Sequence, residues 1–433
     1  MTSPLAPSLS GLEPPTPSDL NVLAAWLDDD PTVLSILTQS SASGDVVRIP
    51  FGATDAYLVT KPTLIAEVLL TRESLFQPDP GFVDAFTPLL GDGPLTSNGD
   101  HRHRRRRRQD LHRVLSASLA AMRRLIPRAT DELLRQWNDS ETRDLSSDLE
   151  ELHWRILTTT ALGGENGDSL PRPSPDLDKP LSARPVLWDQ RWLALRSIVE
   201  KALDAGGRSC PPGESSWIRL LRAVSDDCGE PRRSSASLLA DELITLMFAA
   251  RDTTTSALVW STVALAQHPG LQERIRAELH ANGPVTDLVD LRVPIALHNA
   301  ITEALRLYPP SPLLTRQTII DVELGGYRIP GGATLLLSPW ATHRDPRLFP
   351  EPNTFRPERW RLAPKHEPLT YFPFGAGQRM CVGRAVALTE VSLVLATILS
   401  RYRIRLEGPA PAPRLCSTLV PAAPLRVHIE GCK

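Results

Sequence analysis

The sequence predicts a helix-dominated α+β fold, and three observations support this. Apolar residues recur with the period of an α-helix from 234 to 267, which at about 1.5 Å per residue is long enough to cross a domain. Shorter helical patterns follow at 270–281 and 294–308, the second opened by one proline and ended by two. Strand-like runs at 46–50 and 56–60 flank a glycine turn. With 433 residues, 41% of them hydrophobic, the chain can bury one large core or two lobes that share a core.

The remaining segments complete this prediction. Residues 1–20 are rich in proline and are predicted to be a disordered leader, so that 21–433 form a single domain. A helical pattern is expected from 111 to 161, and the proline-bearing stretch 163–182 is expected to be a loop. Further along lie a predicted strand at 334–338, an irregular stretch at 343–373, a helix at 384–399 and strands at 401–406 and 425–429.

Charge and cysteine content exclude several classes of protein. Lys and Arg (48 together) nearly balance Asp and Glu (50), so no overall field directs the chain to nucleic acid or to a membrane surface. Five irregularly spaced cysteines do not form the dense framework of small secreted domains. No window offers the roughly 20 uninterrupted apolar residues of a membrane helix, and no signal peptide is recognisable. We therefore expect a cytoplasmic protein without a membrane anchor.

One cysteine has neighbours that suit a thiolate ligand. Cys381 lies between Gly375 and Gly383 just before a helical run, and backbone N–H groups at a helix N-terminus lower the pKa of a thiol. The glycines allow the main chain to lie against a flat cofactor, Phe374 can shield the sulfur, and Arg379 can pair with a cofactor carboxylate. On general grounds, a buried structural cysteine in a glycine turn is the commoner explanation.

The segment 374–383, F-G-A-G-Q-R-M-C-V-G, resembles the heme-binding signature F-x-x-G-x-R-x-C-x-G of the cytochrome P-450 family at all five fixed positions. Because such a match is rare by chance, it outweighs the structural explanation. The resemblance implies a soluble, bacterial-type heme-thiolate monooxygenase, with a triangular helical lobe, a smaller β-rich lobe and heme b between them. Cys381 would be the catalytic ligand of the iron. The neighbours Phe374, Gly375, Arg379 and Gly383 would contact the cofactor.

The long helix carries a second matching segment. Residues 249–254, A-A-R-D-T-T, resemble the family's oxygen-activation motif, in which the acid relays protons and the threonine hydroxyl bonds the activated oxygen. Asp252 and Thr253 are therefore predicted to be catalytic, and Ala249 to contact the cofactor. Five consecutive polar residues from Asp252 are expected to distort the helix. Ala250 replaces the usual glycine and is expected to narrow the space above the iron. Without the cysteine motif, a solvated Ser/Thr face would explain this segment equally well.

Further positions resemble the family's structural and heme-binding residues. Glu303 and Arg306 have i,i+3 spacing, which alone means little because surface pairs contribute about 0–1 kcal/mol. Together with Arg359 they resemble the family's buried Glu–Arg–Arg triad, whose role is structural. Arg316 stands where the family has an arginine that binds a heme propionate, and H-R-D-P at 343–346 also matches.

The run Arg104–Arg108 admits two explanations. A nucleic-acid patch lacks support, since no aromatic residues are interleaved with it and no second basic cluster exists. In the family, a helix at this place gives one His or Trp and one Arg to the propionates. Either His103 with Arg107 or His101 with Arg105 has the required i,i+4 spacing, and the first pair is preferred. The other arginines would attract an acidic iron–sulfur ferredoxin.

The resemblance also implies a substrate pocket beneath a roof. Between 163 and 234 only 188–205 is predicted to be a firm helix, so the roof is expected to be short or irregular. The residues predicted to line the pocket are all apolar: Phe82, Val83, Phe86, Leu90, Met247, Ala250, Leu313, Leu314 and Leu419. Such a lining favours a lipophilic substrate, such as a terpenoid or polyketide intermediate.

The predicted activity is hydroxylation or epoxidation of that substrate with dioxygen. Electrons would come from NAD(P)H through a ferredoxin reductase and a ferredoxin, and the enzyme would act as a monomer. Desaturation, rearrangement or oxidative coupling at the same heme would leave the same motifs. A non-catalytic heme-binding protein would not need Asp252 and Thr253.

Overall fold

A computed structural model describes residues 13–16, 22–27, 31–97, 101–163, 190–204, 216–227, 236–281, 293–361 and 367–432, and every structural statement here concerns those residues. Helices dominate: α1 (Val22–Leu27), α2 (Thr32–Ser40), α3 (Pro62–Ala66), α4 (Pro80–Leu90), α5 (His101–Leu134), α6 (Leu145–Leu162), α7 (Gln190–Asp204), α8 (Trp217–Asp227), α9 (Ala236–Ala266), α10 (Pro269–Ala281), α11 (Ile295–Leu307), α12 (Pro339–Thr342) and α13 (Arg384–Arg401).

The strands are short and belong to four sheets. They are β1 (Val46–Phe51), β2 (Thr54–Val59), β3 (Phe76–Gln77), β4 (Glu141–Asp144), β5 (Leu314–Thr318), β6 (Val322–Leu324), β7 (Tyr327–Ile329), β8 (Thr334–Leu337), β9 (Tyr402–Leu406), β10 (Pro413–Leu415), β11 (Leu419–Pro421) and β12 (Arg426–Gly431). The largest sheet has the order β1-β2-β8-β5-β3, in which only β2 and β8 are parallel. A second sheet has the order β4-β12-β9, and β6-β7 and β10-β11 are hairpins.

Most predicted elements are confirmed. The long helix is α9, the two shorter helical patterns are α10 and α11, and the helix after Cys381 is α13. The predicted strands at 46–50, 56–60 and 334–338 correspond to β1, β2 and β8 within two residues. Among the described residues, no helix is both long and apolar enough to cross a membrane.

Three predictions need correction. The helical stretch from 111 to 161 is interrupted by β4, because that segment pairs with β12 from the far end of the chain. A second helix, α8, lies in the region predicted to be irregular, while 164–189 fall outside the described residues. Part of the leader is also ordered, since the carbonyl of Pro15 accepts a hydrogen bond of 2.9 Å from the backbone N–H of Arg48 in β1.

Two apolar clusters meet at the segment that carries the cysteine. The larger cluster joins α5, α6, α9, α11 and α13, and the smaller one joins the five-stranded sheet to α3. Phe372 and Ala376 pack in the sheet cluster, whereas Phe374 and Val382 pack against the helical cluster. The fold therefore places Cys381 at the junction of its helical and β-rich parts.

Candidate active site

The segment before α13 is a tight turn held by its own backbone. Gly375 and Gly377 have positive φ angles of 65° and 70°, a conformation that favours glycine. A Cβ atom at Gly377 would lie 1.9 Å from the backbone oxygen of Leu69, so no larger residue fits there. The backbone N–H of Cys381 donates to the carbonyl of Phe374 over 2.8 Å. The turn thereby fixes Cys381 three residues before α13 begins.

The thiol of Cys381 is accessible, although protein surrounds it closely. Burial raises its pKa, while hydrogen bonds from the backbone N–H groups of Gly383 and Arg384 and the charge of Arg108 lower it. The sequence predicted a lowered pKa, and the net direction is opposite because burial outweighs the donors. The two backbone N–H groups still donate to the sulfur, so they stabilise the thiolate that forms when the sulfur binds a cation.

A partly buried arginine near this turn is suited to an anionic cofactor group. Arg316 in β5 donates to the carbonyl of Thr315 over 2.7 Å, and no carboxylate in the described parts of the chain forms an ion pair with it. Burial lowers its pKa, and the more distant charge of Glu73 opposes that effect. A cation that is largely withdrawn from water normally has an anionic partner. A heme propionate would supply this missing charge.

Two more arginines contact the turn or its surroundings. Arg108 in α5 donates to the carbonyl of Met380, directly before the cysteine, over 2.5 Å. Arg379 donates to the carbonyl of Ser97 over 3.2 Å. The iron of a heme binds a thiolate ligand, which Cys381 can supply. The two heme carboxylates bind guanidinium groups, which these arginines can supply. The residues present therefore fit heme.

The structure pairs the preferred arginine of this run with carboxylates, while the assignment of the propionate-binding residues stays a prediction. Arg107, predicted to bind a propionate, donates from Nε to Glu242 over 2.9 Å and from Nη1 to Asp92 over 3.1 Å. Two carboxylates thus pair with this buried guanidinium, its Nη2 has no hydrogen-bond partner among the described residues, and Arg108 lies at the cysteine turn. The alternative, Arg105, is exposed. The side chains of His101 and His103 lie outside the described part of the structure.

The oxygen-activation segment lies inside a helix that is not interrupted. The expected distortion is wrong, because α9 continues unbroken through the five polar residues. The hydroxyl of Thr253 donates to the carbonyl of Ala249 over 2.7 Å, so it is accommodated within the helix. Asp252 is paired over 2.6 Å with Nη1 of Arg251, whose Nη2 lies 3.1 Å from Glu150 in α6. The acid is therefore held beside a buried cation, which the sequence motif did not reveal.

The predicted triad forms a buried network. Arg306 donates from Nε and Nη2 to the two oxygens of Glu303 over 2.9 and 2.8 Å. Arg359 Nε and Trp360 Nε1 also donate to this carboxylate, over 2.9 and 2.8 Å. Glu303 and Arg306 have no accessible surface. The geometry thus agrees with a structural role for all three predicted residues.

His343 links this network to the cysteine segment. The backbone N–H of Phe372 donates to Nε2 of His343 over 3.0 Å, so that nitrogen carries no proton. Nδ1 then donates to the carbonyl of Arg306 over 3.2 Å. Burial, followed by the charge of Arg306, lowers the pKa of His343 to about 3. A neutral imidazole therefore connects α11 to the segment that leads to Cys381.

Three of the predicted pocket residues belong to the core. Leu90, Met247 and Leu419 have no accessible surface, so they pack among other side chains and line no open space. Val83 and Leu313 retain 9% and 8% of their surface. The four predicted pocket residues with more accessible surface are Phe82, Phe86, Ala250 and Leu314.

The structure adds Phe248 and Trp192, two aromatic residues that the sequence did not single out, to the predicted Phe82 and Phe86. The rings of Phe82 and Phe86 stack at 4.4 Å, and Phe86 contacts Phe248 of α9 at 5.5 Å between centroids. Trp192 of α7 also contacts Phe248, at 5.4 Å between centroids. We call these four residues the aromatic wall. It joins α4, α7 and α9, and Phe248 directly precedes Ala249 of the oxygen-activation segment.

Known proteins are similar to this chain in sequence and in fold. The family model described as Cytochrome P450 matches residues 12–167 and 218–429. Cyclooctat-9-en-7-ol 5-monooxygenase of Streptomyces melanosporofaciens is 32% identical over 396 residues, covering 86% of this chain and 85% of that enzyme. Pentalenene oxygenase of Streptomyces avermitilis is 29% identical over 406 residues, covering 87% of this chain and 88% of that enzyme.

The fold is likewise that of a solved relative. The structure of a retinoic acid bound cyanobacterial CYP120A1 superposes with a TM-score of 0.80 and 24% identity, covering 98% of this chain and all of that one. This likeness concerns the fold alone, and it confirms the predicted fold class. The chain therefore belongs to the cytochrome P-450 family and is a heme-thiolate monooxygenase that uses heme b and receives electrons from NAD(P)H through redox partners.

Proposed function

We propose that this monooxygenase hydroxylates or epoxidises a cyclic terpenoid skeleton. The observation that carries the proposal is the aromatic wall, which ends one residue before the oxygen-activation segment. Aromatic faces bind large apolar skeletons through area and shape, with few polar contacts. Two relatives that match along most of the chain are named for cyclooctat-9-en-7-ol and pentalenene, which supports the same substrate class.

Binding tests this proposal. Cyclic terpenes should shift the heme spin state at micromolar concentrations, whereas polyketide lactones should not. Phe248→Ala removes the central ring of the wall, and because burial of one Phe is worth about 1.5–3 kcal/mol, we expect terpene affinity to fall roughly tenfold or more. Phe355→Ala is the matched control, since its ring packs on His268 instead. Tight lactone binding with no terpene response would refute the substrate class.

In the proposed site, Cys381 is the iron ligand, and Arg316, Arg379 and Arg108 hold the propionates. When bound, heme supplies an iron that, with a thiolate ligand, reductively activates dioxygen for transfer of one oxygen atom. The backbone N–H groups of Gly383 and Arg384 stabilise the thiolate charge. The turn formed by Gly375 and Gly377 holds the sulfur at the junction of the two apolar clusters.

Proton delivery is the proposed task of Asp252 and Thr253. The hydroxyl of Thr253 both donates and accepts hydrogen bonds, and its donation to Ala249 leaves its oxygen lone pairs available to accept. Asp252 is partly exposed and can exchange protons with solvent. Arg251 holds that carboxylate at 2.6 Å, which fixes the position of the acid on α9. The carbonyl of Ala250 lies 3.5 Å from the Thr253 hydroxyl, and this residue adds a methyl group where the family usually has none.

Thr253→Ala should uncouple electron use from product formation. Loss of the hydroxyl removes a positioned proton donor, and such groups contribute about 10²- to 10⁴-fold to proton transfer. Because water can partly replace it, we expect the yield of product per NAD(P)H to fall roughly tenfold, with matching release of hydrogen peroxide. Peroxide and NAD(P)H assays with a bound terpene measure this ratio.

Thr255→Ala provides the matched control for that variant. The hydroxyl of Thr255 donates to the carbonyl of Arg251 over 2.8 Å, the same bond that Thr253 makes to Ala249. Two residues along an α-helix turn the side chain by about 200°, so Thr255 faces another side of α9. Equal uncoupling in both variants would mean that a general weakening of α9 is the cause.

The redox partner is proposed to dock beside α5. Arg105 and Arg106 are exposed, and Arg108 touches the cysteine turn from the same helix. This basic surface is complementary to an acidic ferredoxin, which a ferredoxin reductase would reduce. We further propose that the enzyme works as a monomer in the cytoplasm, with residues 21–433 as one domain.

A further inference from the structure

A buried histidine connects three helices beneath the oxygen-activation segment. His153 in α6 is 1% exposed, and its Nδ1 lies 2.6 Å from Oε1 of Glu390 in α13, which is 2% exposed. Its Nε2 lies 3.1 Å from the carbonyl oxygen of Ala250 in α9. Neither His153 nor Glu390 belongs to the motifs considered above. The pair therefore needs its own explanation.

The proton positions follow from what each atom can do. The carbonyl of Ala250 only accepts hydrogen bonds, so Nε2 of His153 must carry a proton. The contact between Nδ1 and Glu390 then holds one more proton, on either the nitrogen or the oxygen. In both arrangements the pair has no net charge, which makes its burial tolerable. The arrangement also fixes the imidazole with its Nε2–H aimed at α9.

The carbonyl of Ala250 is saturated as a result. It has two lone pairs, one of which accepts the backbone N–H four residues later in the helix, and His153 takes the other. The hydroxyl of Thr253 has two carbonyls within reach, at 2.7 Å for Ala249 and 3.5 Å for Ala250. With Ala250 occupied, Ala249 is the better acceptor. One rotamer of the Thr253 hydroxyl is thereby selected.

We propose that His153 is a positioning residue for oxygen activation: by saturating the Ala250 carbonyl, it directs the Thr253 hydroxyl, while Glu390 holds the imidazole in the required orientation. This inference rests on the proposed role of Thr253. Without His153, the Ala250 carbonyl competes for the hydroxyl, and Thr253 divides its time between two orientations. Proton delivery should then fail in part of the turnovers.

Three variants separate this role from simple packing. His153→Leu removes the donor, and peroxide released per NAD(P)H should rise at least threefold. His153→Gln retains an N–H for Ala250 and should stay within twofold of the parent. Glu390→Gln keeps the imidazole in place through its amide N–H and should also stay within twofold. Thr262→Val, which removes a buried hydroxyl bonded to Leu258 within the same α9, is the packing control.

The assay uses the heme-loaded protein with a plant ferredoxin and its reductase, in the presence of the bicyclic sesquiterpene valencene and in its absence. Amide hydrogen exchange over residues 247–256 gives a readout independent of turnover, and it should accelerate in His153→Leu but not in His153→Gln. Should His153→Leu misfold, the double change His153→Leu with Glu390→Leu removes both buried polar groups and should release the same excess of peroxide.

The outcomes are distinct. Excess peroxide in His153→Leu with rescue by His153→Gln supports the proposal. Parental peroxide and exchange in His153→Leu, or equal changes in Thr262→Val, would overturn it. If Thr253→Ala itself leaves coupling unchanged while the carbonyl spectrum is normal, the role proposed for Thr253 fails first, and this inference falls with it.

Discussion

Cys381→Ser is expected to abolish the red-shifted Soret band that the ferrous carbonyl complex of the parent protein shows. That band requires a thiolate ligand, and a serine hydroxyl remains protonated at neutral pH. The backbone donors from Gly383 and Arg384 would still be present, so the change isolates the sulfur atom itself. We expect complete loss of the band, loss of monooxygenase turnover and weaker retention of heme, measured by difference spectroscopy and by heme content per chain.

Cys432→Ser is the control, because this cysteine lies beyond β12 and is only partly accessible. It should leave the spectrum unchanged. A parental spectrum in Cys381→Ser would place the iron ligand elsewhere in the chain and would contradict the assignment.

The sequence predicted best those features that depend on local spacing. The turn at 374–383 and the Glu303–Arg306 pair are recognisable because each function requires fixed residue types a few positions apart. The structure brings the members of each group together. The helix α9 was predictable for a similar reason, since apolar residues recur at helical spacing from Leu239 to Leu258.

The arginine run shows where local spacing fails. Because the five residues are identical, the sequence does not show which of them faces the protein interior. Pairs with i,i+4 spacing in several registers therefore look equivalent. What selects the register is tertiary: Glu242 and Asp92 pair with Arg107, and the carbonyl of Met380 accepts from Arg108. Those partners lie between 15 and 272 positions away in the sequence. No pattern within the run could reveal them.

Part of the pocket prediction was wrong, and the His153–Glu390 pair was missed, for related reasons. An apolar residue on a helix looks the same whether it packs in the core, as Met247 does, or borders open space, as Phe86 does. A lone buried histidine is most often a satisfied core residue, and only the joint contacts to Glu390 and Ala250 distinguish His153. Such contacts arise from helix packing, which a single sequence does not display.

Glu303→Ala is expected to be the most destabilising single change in the heme-side core. The carboxylate accepts from two arginines, from Trp360 and from the backbone N–H of Arg356, and it has no accessible surface. Its removal leaves the buried guanidinium of Arg306 with backbone carbonyls but no counter-charge. Breaking a buried pair in this way costs about 3–5 kcal/mol, a large share of the roughly 5–15 kcal/mol that stabilises a domain.

The expected result is little or no heme-loaded protein from Glu303→Ala, and a strongly lowered urea midpoint in whatever folds. Because the network reaches the cysteine segment through His343, heme should be lost even where secondary structure persists. Glu407→Ala breaks the exposed pair with Arg426 and should cost at most about 1 kcal/mol. If Glu303→Ala were as stable as this control and kept its heme, the triad would not hold the heme-side core, and the cysteine turn would depend on its own backbone alone.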